Sequence, residues 1–235
     1  MSADTIARLK ISLDDAKPAV LRRVEVPFDI RLDRLHLTIQ AAMGWTNSHL
    51  YEIRAGNVGW STPDPDADWA SDFIDARKAR LGDILEDIGT KTLAYLYDFG
   101  DGWEHTIKIE HLADPEPGVL YPRLIEVSGR CPPEDCGGPW GYAELLEAIK
   151  DPKHERHAEL TEWIGYDFDP DADNAEGLSA EVAALAQSLV SEAHQQTHAT
   201  SLTRGLHRML TQYDPLAYEL PLRPFAPVSE RCLWL

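Results

Sequence analysis

Several things are scarce in this chain, and each scarcity excludes something. There are 3 cysteines in 235 residues. An odd number spread so thinly does not make a disulfide framework, and it predicts a reducing, cytoplasmic setting. Long apolar runs are missing: nothing approaches the roughly 18 residues that a membrane-spanning helix needs. The start, Met1 to Arg8, lacks the charged-then-apolar pattern of a secretory leader. Positive charge is also in short supply, with 22 Lys and Arg against 40 Asp and Glu, a net charge of −18. That balance disfavours direct contact with a nucleic-acid backbone, which depends on basic side chains displacing counterions. The small basic clusters are Arg22-Arg23 and Arg77-Lys78-Arg80. Catalytic signatures are absent too: no Gly-x-x-x-x-Gly-Lys-Ser/Thr loop, no Gly-x-Gly-x-x-Gly, no Gly-x-Ser-x-Gly and no His-Glu-x-x-His. A nucleophilic serine set among arginines, as a serine resolvase requires, is missing as well.

What is present begins with a hydrophobic content of 43%, enough to bury one sizeable core. The chain is organised around Tyr95 to Glu110. Leu93, Tyr95 and Tyr97 alternate with Ala94 and Leu96, the period of a strand. Trp103, His105, Ile107 and Ile109 then share one face, opposite Glu104, Thr106, Lys108 and Glu110. Phe99-Gly100-Asp101-Gly102 between them supplies the backbone freedom of a tight hairpin.

Upstream, Ile6 to Leu13 and Ala19 to Val26 read as strands. In the second, Val20, Arg22, Val24 and Val26 lie on one face. A helix carries Leu32, Leu35, Ile39 and Ala42/Met43 and stops at Gly44. Leu50 to Arg54 predicts a short strand, Gly59 to Ala70 a loop, and Leu81 to Ile88 a helix burying Ile84, Leu85 and Ile88. Downstream come a strand at Arg123 to Val127 and a Pro/Gly/Cys-rich loop at Gly129 to Gly141. A helix through Tyr142, Leu145, Leu146 and Ile149 breaks at Pro152. A further helix turns Leu160, Trp163 and Ile164 inward and stops at Gly165. Two helices follow, one marked by Val182, Leu185 and Leu189, the other by Leu202, Leu206, Met209 and Leu210, ahead of an extended tail. The expected class is α+β, with a mainly antiparallel sheet, packed helices and a helical C-terminal extension. The expected division is an α+β domain at 1–176 and an extension at 177–235.

Several residue sets could carry chemistry. Asp98, Asp101 and His105 flank the hairpin turn and could converge as a metal or acid–base site. Equally, the acids could bond the turn backbone while His105 packs beside Trp103 in the core. Cys131 and Cys136 are spaced more widely than a Cys-x2-Cys zinc knuckle, and His49, His105 or His111 could complete such a site only through the fold. Asp64, Asp66, Asp68, Asp72 and Asp75 follow calcium-loop spacing, but Trp69 stands where that loop has glycine. Asp167, Asp169, Asp171 and Asp173 alternate without a closing acid. Trp45, His49, Tyr51 and Trp60 could wall a pocket or fill the core. The candidate binding residues are thus Trp45, His49, Asp98, Asp101, Trp103 and His105. The candidate ligands of a divalent metal are Asp98, Asp101, His105, Cys131 and Cys136.

One set of motifs occurs in a telling order. It runs Lys17-Pro18-Ala19-Val20-Leu21-Arg22-Arg23-Val24-Glu25-Val26-Pro27, Leu35-His36, then Ile39-Gln40-Ala41-Ala42-Met43-Gly44-Trp45 and Ser48-His49-Leu50-Tyr51-Glu52-Ile53. It continues with Tyr97-Asp98-Phe99-Gly100-Asp101-Gly102-Trp103-Glu104-His105, Cys131-Pro132-Pro133-Glu134-Asp135-Cys136-Gly137-Gly138 and Asp167-Phe168-Asp169-Pro170. In this the chain resembles the plasmid pRiA4b ORF-3-like family across about residues 5 to 175. The resemblance implies an α+β domain and, through a resolvase label on some members, a link to mobile elements. Asp171-Ala172-Asp173-Asn174 departs from the apolar continuation usual in that family.

Motif density in loops, without a complete catalytic set, favours a non-enzymatic binding or adaptor domain with a protein or small-molecule ligand. The alternatives are a metal-dependent hydrolase or nuclease-like enzyme using Asp98, Asp101 and His105, and a mobile-element accessory protein.

Overall fold

A computed structural model describes residues 5–63 and 73–211, with side chains as far as residue 195. Two strands open the chain, β1 (Ile6–Leu13) and β2 (Val20–Pro27), followed by helix α1 (Leu32–Met43). Next come β3 (Tyr51–Ala55), β4 (Val58–Ser61) and β5 (Ile74–Asp75), a single 3-10 turn at Ala76–Lys78, and α2 (Leu81–Ile88). The central hairpin is β6 (Thr92–Tyr97) and β7 (Trp103–Ala113), and β8 (Arg123–Ser128) completes the sheet. Helices α3 (Gly138–Lys150), α4 (His157–Ile164) and α5 (Ala175–Thr211) end the described chain.

The sheet has eight strands in the order β5-β4-β3-β6-β7-β1-β2-β8. Every pairing is antiparallel except the short contact of β4 with β5. The class is therefore α+β, as the patterning predicts. Side-chain alternation fixes the register: Leu9, Ile11 and Leu13 of β1 stand opposite Ile109, Ile107 and His105 of β7. A one-residue slip would turn these apolar groups to water. The opposite face is wet and carries ion pairs. Arg8 and Arg123 both bond Glu25, and Arg23 lies between Glu110 and Glu126.

Leu32, Leu35, Ile39 and Ala42 of α1 are fully buried against the apolar face, each larger side chain contributing about 1.5–3 kcal/mol. Gly44, at φ +81°, ends α1 in the left-handed conformation that glycine adopts without a Cβ penalty.

Four expectations need correction. Gly59 to Ser61 belongs to β4, because Trp60 pairs with Ile53 and is buried. Ile88 and Trp163 are exposed, since short helices cover only part of their apolar stripe. Leu50 precedes its strand and is 53% exposed. The C-terminal segment forms one helix, α5, rather than two, because neither proline nor glycine stands between Leu189 and Leu202 to break it. Side chains of Leu202, Leu206, Met209 and Leu210, and the tail beyond Thr211, lie outside the described residues. The chain divides into two compact units, Met1–Val190 and Ser191–Leu235, with the sheet and helices α1 to α4 in the first.

Candidate functional site

Three connections meet at one end of the central hairpin: residues 44–50 after α1, the 98–102 turn, and the 129–138 loop before α3. Their joints are specific. The Tyr97 hydroxyl donates to Glu134 Oε1 at 2.6 Å and accepts from the backbone N–H groups of Ser48 (3.0 Å) and His49 (3.3 Å). Glu134 also accepts from the Thr46 backbone, the Thr46 hydroxyl and the Ser48 hydroxyl. Burial alone would raise the Glu134 carboxyl, but these donors hold it below the ordinary carboxylate range. The Trp45 indole donates to the Pro132 carbonyl at 3.0 Å, and the Gly137 N–H donates to Asp101 Oδ2 at 3.1 Å.

Asn47, Asp98 and Asp135, one in each connection, hold φ between +56° and +60°. Asx side chains tolerate this region better than others because they can bond locally. Asp98 does so, its Oδ1 accepting from the N–H groups of Gly100 and Asp101. Gly138 has φ +68°, and a Cβ there would collide with the Asp101 carbonyl oxygen, so only glycine lets α3 begin against the hairpin turn.

His49, Asp98 and Asp135 come together at this junction. One ligand-type atom of each lies within 4.8 Å of the others. His49 Nδ1 is 3.6 Å from Asp98 Oδ2, and Nε2 is 3.1 Å from Asp135 Oδ1. The second approach lacks hydrogen-bond alignment, leaving Nε2 without a bonded partner. One nitrogen and two oxygens are the donor mix that first-row divalent metals accept, with positions left open.

Of the two readings of Asp98, Asp101 and His105, the turn-and-core arrangement is the one seen, and the three form no ligand group among the described residues. His105 Nδ1 lies 3.2 Å from the Tyr95 carbonyl and 3.0 Å from that of Trp103, so it carries the proton and donates inward. Burial lowers this imidazole to about 4. His105 and Trp103 are both core residues, 1% exposed, and Asp101 is spent on Gly137. Trp45, Tyr51 and Trp60 are buried as well, Trp45 at 5.0 Å from the Tyr97 ring and edge-on to His105.

Cys131 and Cys136 are free thiols and join no group of three potential ligands among the described residues. Burial pushes Cys131 up strongly and Cys136 to about 12, the latter aided by the charges of Asp101 and Asp135. Of the calcium-like spacing, Asp64, Asp66, Asp68 and Asp72 lie outside the described residues. Asp75 is committed to Arg77, which first among its contacts holds the carboxyl near 2. Asp167 to Asp173 form no ligand group among the described residues, and Asp169 accepts from the Asp171 N–H.

A second polar network lies beneath. Gln40 Nε2 donates to the Tyr95 hydroxyl, which faces His36 Nδ1 at 2.9 Å. His36 Nε2 donates to Asn47 Oδ1 at 2.6 Å, and the Asn47 N–H returns to Gln40 Oε1. Each group in this ring has a donor matched to an acceptor once Nε2 carries the imidazole proton. Burial lowers His36 to about 4, so the ring stays neutral.

Sequence reasoning missed Asp135, Glu134 and Asn47. Asp135 was adjacent to the flagged Cys136, but only the fold shows that its loop reaches His49. No helix among the described residues is long and apolar enough to cross a membrane.

The chain is 53% identical to the uncharacterized protein y4hQ of Sinorhizobium fredii over 194 residues, covering 82% of this chain and 98% of that one. It also resembles the crystal structure of a protein of unknown function, MM3350, from Methanosarcina mazei. The TM-score is 0.67 at 31% identity, over 74% of this chain and 98% of that one. Residues 5–176 match the plasmid pRiA4b ORF-3-like protein family, to which this chain therefore belongs.

Proposed function

We propose that the protein is a non-enzymatic binding domain whose recognition face is the junction of residues 44–50, 98–102 and 129–141. The observation that carries this reading is the exposure of large apolar side chains at this junction, Leu50 and Phe99 on the connections and Trp140 on the first turn of α3. Leu50 is 53% exposed, Phe99 46% and Trp140 89%. Large apolar groups exposed on a braced surface are what a partner uses as anchors. Four groups beneath this face are ill suited to catalysis: His36 and His105 are pushed down to about 4, and Cys136 and Tyr97 up to about 12. A general base works best when poised near the operating pH, and these are not.

The test compares the wild-type protein with a Phe99→Ala/Trp140→Ala variant as baits in extract from the source cells. A specific partner should be retained by the first, lost by the second, and bind the purified wild type directly. No partner, or equal retention by both baits, removes the reading.

His49, Asp98 and Asp135 favour a second reading, a divalent-metal site serving a metal-dependent enzyme. Elemental analysis of protein purified without chelator, beside Asp135→Asn, checks it. Stoichiometric metal lost in the variant supports this reading, and no metal in either sample ends it.

A further inference from the structure

Arg22 is the most buried charge in the described chain, only 1% exposed; the Asp173 charge acts on it, but no described carboxylate bonds it or lies within ion-pair distance. Its Nε donates to the Ala42 carbonyl at 2.7 Å, and its Nη1 donates to the carbonyls of Leu21, Ser128 and Gly129. Nη2 has no bonded partner among the described residues, and it is not sealed in the core. Carbonyl dipoles solvate a buried cation only in part, so an unpaired guanidinium remains costly unless a counter-charge can reach it.

A cavity of about 310 Å3 provides the access, within the usual size range of small-ligand pockets. Arg22 and Arg130 both line it. Arg130 is likewise without a carboxylate partner, although every other arginine with a described side chain has one. Its guanidinium is stacked 4.6 Å above the Phe168 ring and 5.3 Å above Tyr166. Stacking occupies the face of the ion and leaves its in-plane N–H groups free to fork around a carboxylate. In a chain with so large an acid excess, two unpaired arginines in one cavity are not explained by ion pairing within the fold.

Glu134 also lines the cavity, but its oxygens are taken by Thr46, Ser48 and Tyr97. Of the groups that line the cavity, two guanidiniums stand against this one carboxylate, a single excess positive charge, and the Asp173 charge acts on Arg22 from outside the lining. Met43, Trp45 and Leu178 add apolar wall. We infer that this cavity binds a small monoanionic carboxylate, its oxygens between Arg22 and Arg130 and its apolar body against Met43, Trp45 and Leu178. The cavity borders two of the three connections through Gly44, Trp45 and residues 130–134, but the binding proposed here requires neither a partner on that face nor metal at His49.

The test titrates the full chain with benzoate and follows the Arg22 Nε–H and Trp45 Nε1–H resonances in 1H–15N spectra. Both should shift saturably. Arg130→Gln, whose spectrum elsewhere should match the wild type, should weaken binding at least about tenfold. Arg130→Lys should fall between the two, because it keeps the charge and loses the fork. Absence of a saturable shift up to about 10 mM, or equal affinity in Arg130→Gln, overturns the site. Tighter binding of inorganic phosphate than of benzoate at the same resonances overturns the carboxylate assignment.

Discussion

Arg22 Nε donates to the carbonyl oxygen of Ala42 at 2.7 Å, so a guanidinium on the buried face of β2 sits at the C-terminal end of α1. That end carries unsatisfied carbonyls and partial negative charge, and a cation there is favourable. The same group binds the carbonyls of Ser128 and Gly129 and so joins β8 to the helix through β2. Replacing Arg22 with methionine keeps the bulk but leaves four carbonyls without this donor. A loss of about 1–3 kcal/mol is expected in denaturant unfolding, because buried carbonyls lose a charged donor. Arg22→Lys should recover little, because one ammonium cannot reach carbonyls arranged around a planar fork. Full recovery by lysine would show that only the charge matters.

Tyr97 is the joint between sheet and loops. Tyr97→Phe removes the donor to Glu134 and the acceptor for the Ser48 and His49 N–H groups, at a cost of about 1–3 kcal/mol. The discriminating measurement is hydrogen exchange at Ser48 and His49. Both amides should exchange faster in the variant while the β1–β7 ladder is unchanged. Unaltered protection at these two amides would show that the hydroxyl does not hold the loop.

The sheet was largely legible in the sequence, the site much less so. Period-two alternation placed Trp103, His105, Ile107 and Ile109 inward because a one-sided sheet writes its burial into every second residue. The same alternation put Arg22 on the apolar face among valines, but its carbonyl partners on α1 and at the end of β8 lie too far along the chain for spacing to reveal them. The junction of His49 with Asp98 and Asp135 had no local signature. It depends on three connections folding over one another, and spacing along the chain carries no information about that. Hairpin proximity pointed to Asp101 and His105 instead, but the turn backbone and the Tyr95 and Trp103 carbonyls claimed those groups first.

His36 and His105 make the protein's acid response specific. Both imidazoles are lowered by burial from 6.5 to about 4 in the folded chain. As pH falls below 6.5 the unfolded chain takes up these protons and the folded chain does not. Their contribution is therefore complete above 6.5 and is lost as pH falls towards 4, by an order of about 3 kcal/mol for each ring. Burial raises the Glu25 carboxyl, but its bonds to Arg8 and Arg123 outweigh that and hold it below its ordinary value. Its contribution is lost only at lower pH, as pH falls through that depressed value. Urea midpoints should thus decline between pH 6.5 and 5, before carboxylate protonation begins. The two imidazole Cε1–H resonances should show no titration above pH 5. A ring titrating near 6.5 would falsify its assignment as a neutral core group.

Cys131 and Cys136 should be poor nucleophiles. Burial raises both thiols. The Arg22 charge opposes that rise at Cys131, and the Asp101 and Asp135 charges reinforce it at Cys136. Only the thiolate attacks an alkylating agent, so at neutral pH each site should react at least about tenfold more slowly than an ordinary exposed cysteine. Cys232 lies outside the described residues, so the comparison uses a Cys232→Ser background with iodoacetamide and peptide mass analysis at pH 7.4. Addition of denaturant should restore the ordinary rate, which separates burial from any intrinsic lack of reactivity. Rapid labelling of Cys136 in the folded protein would mean that the 129–138 loop opens from the hairpin. Slow labelling that persists when Gly138→Ala pushes against the Asp101 carbonyl would mean that the loop is held by Glu134 and Trp45 without help from that close approach.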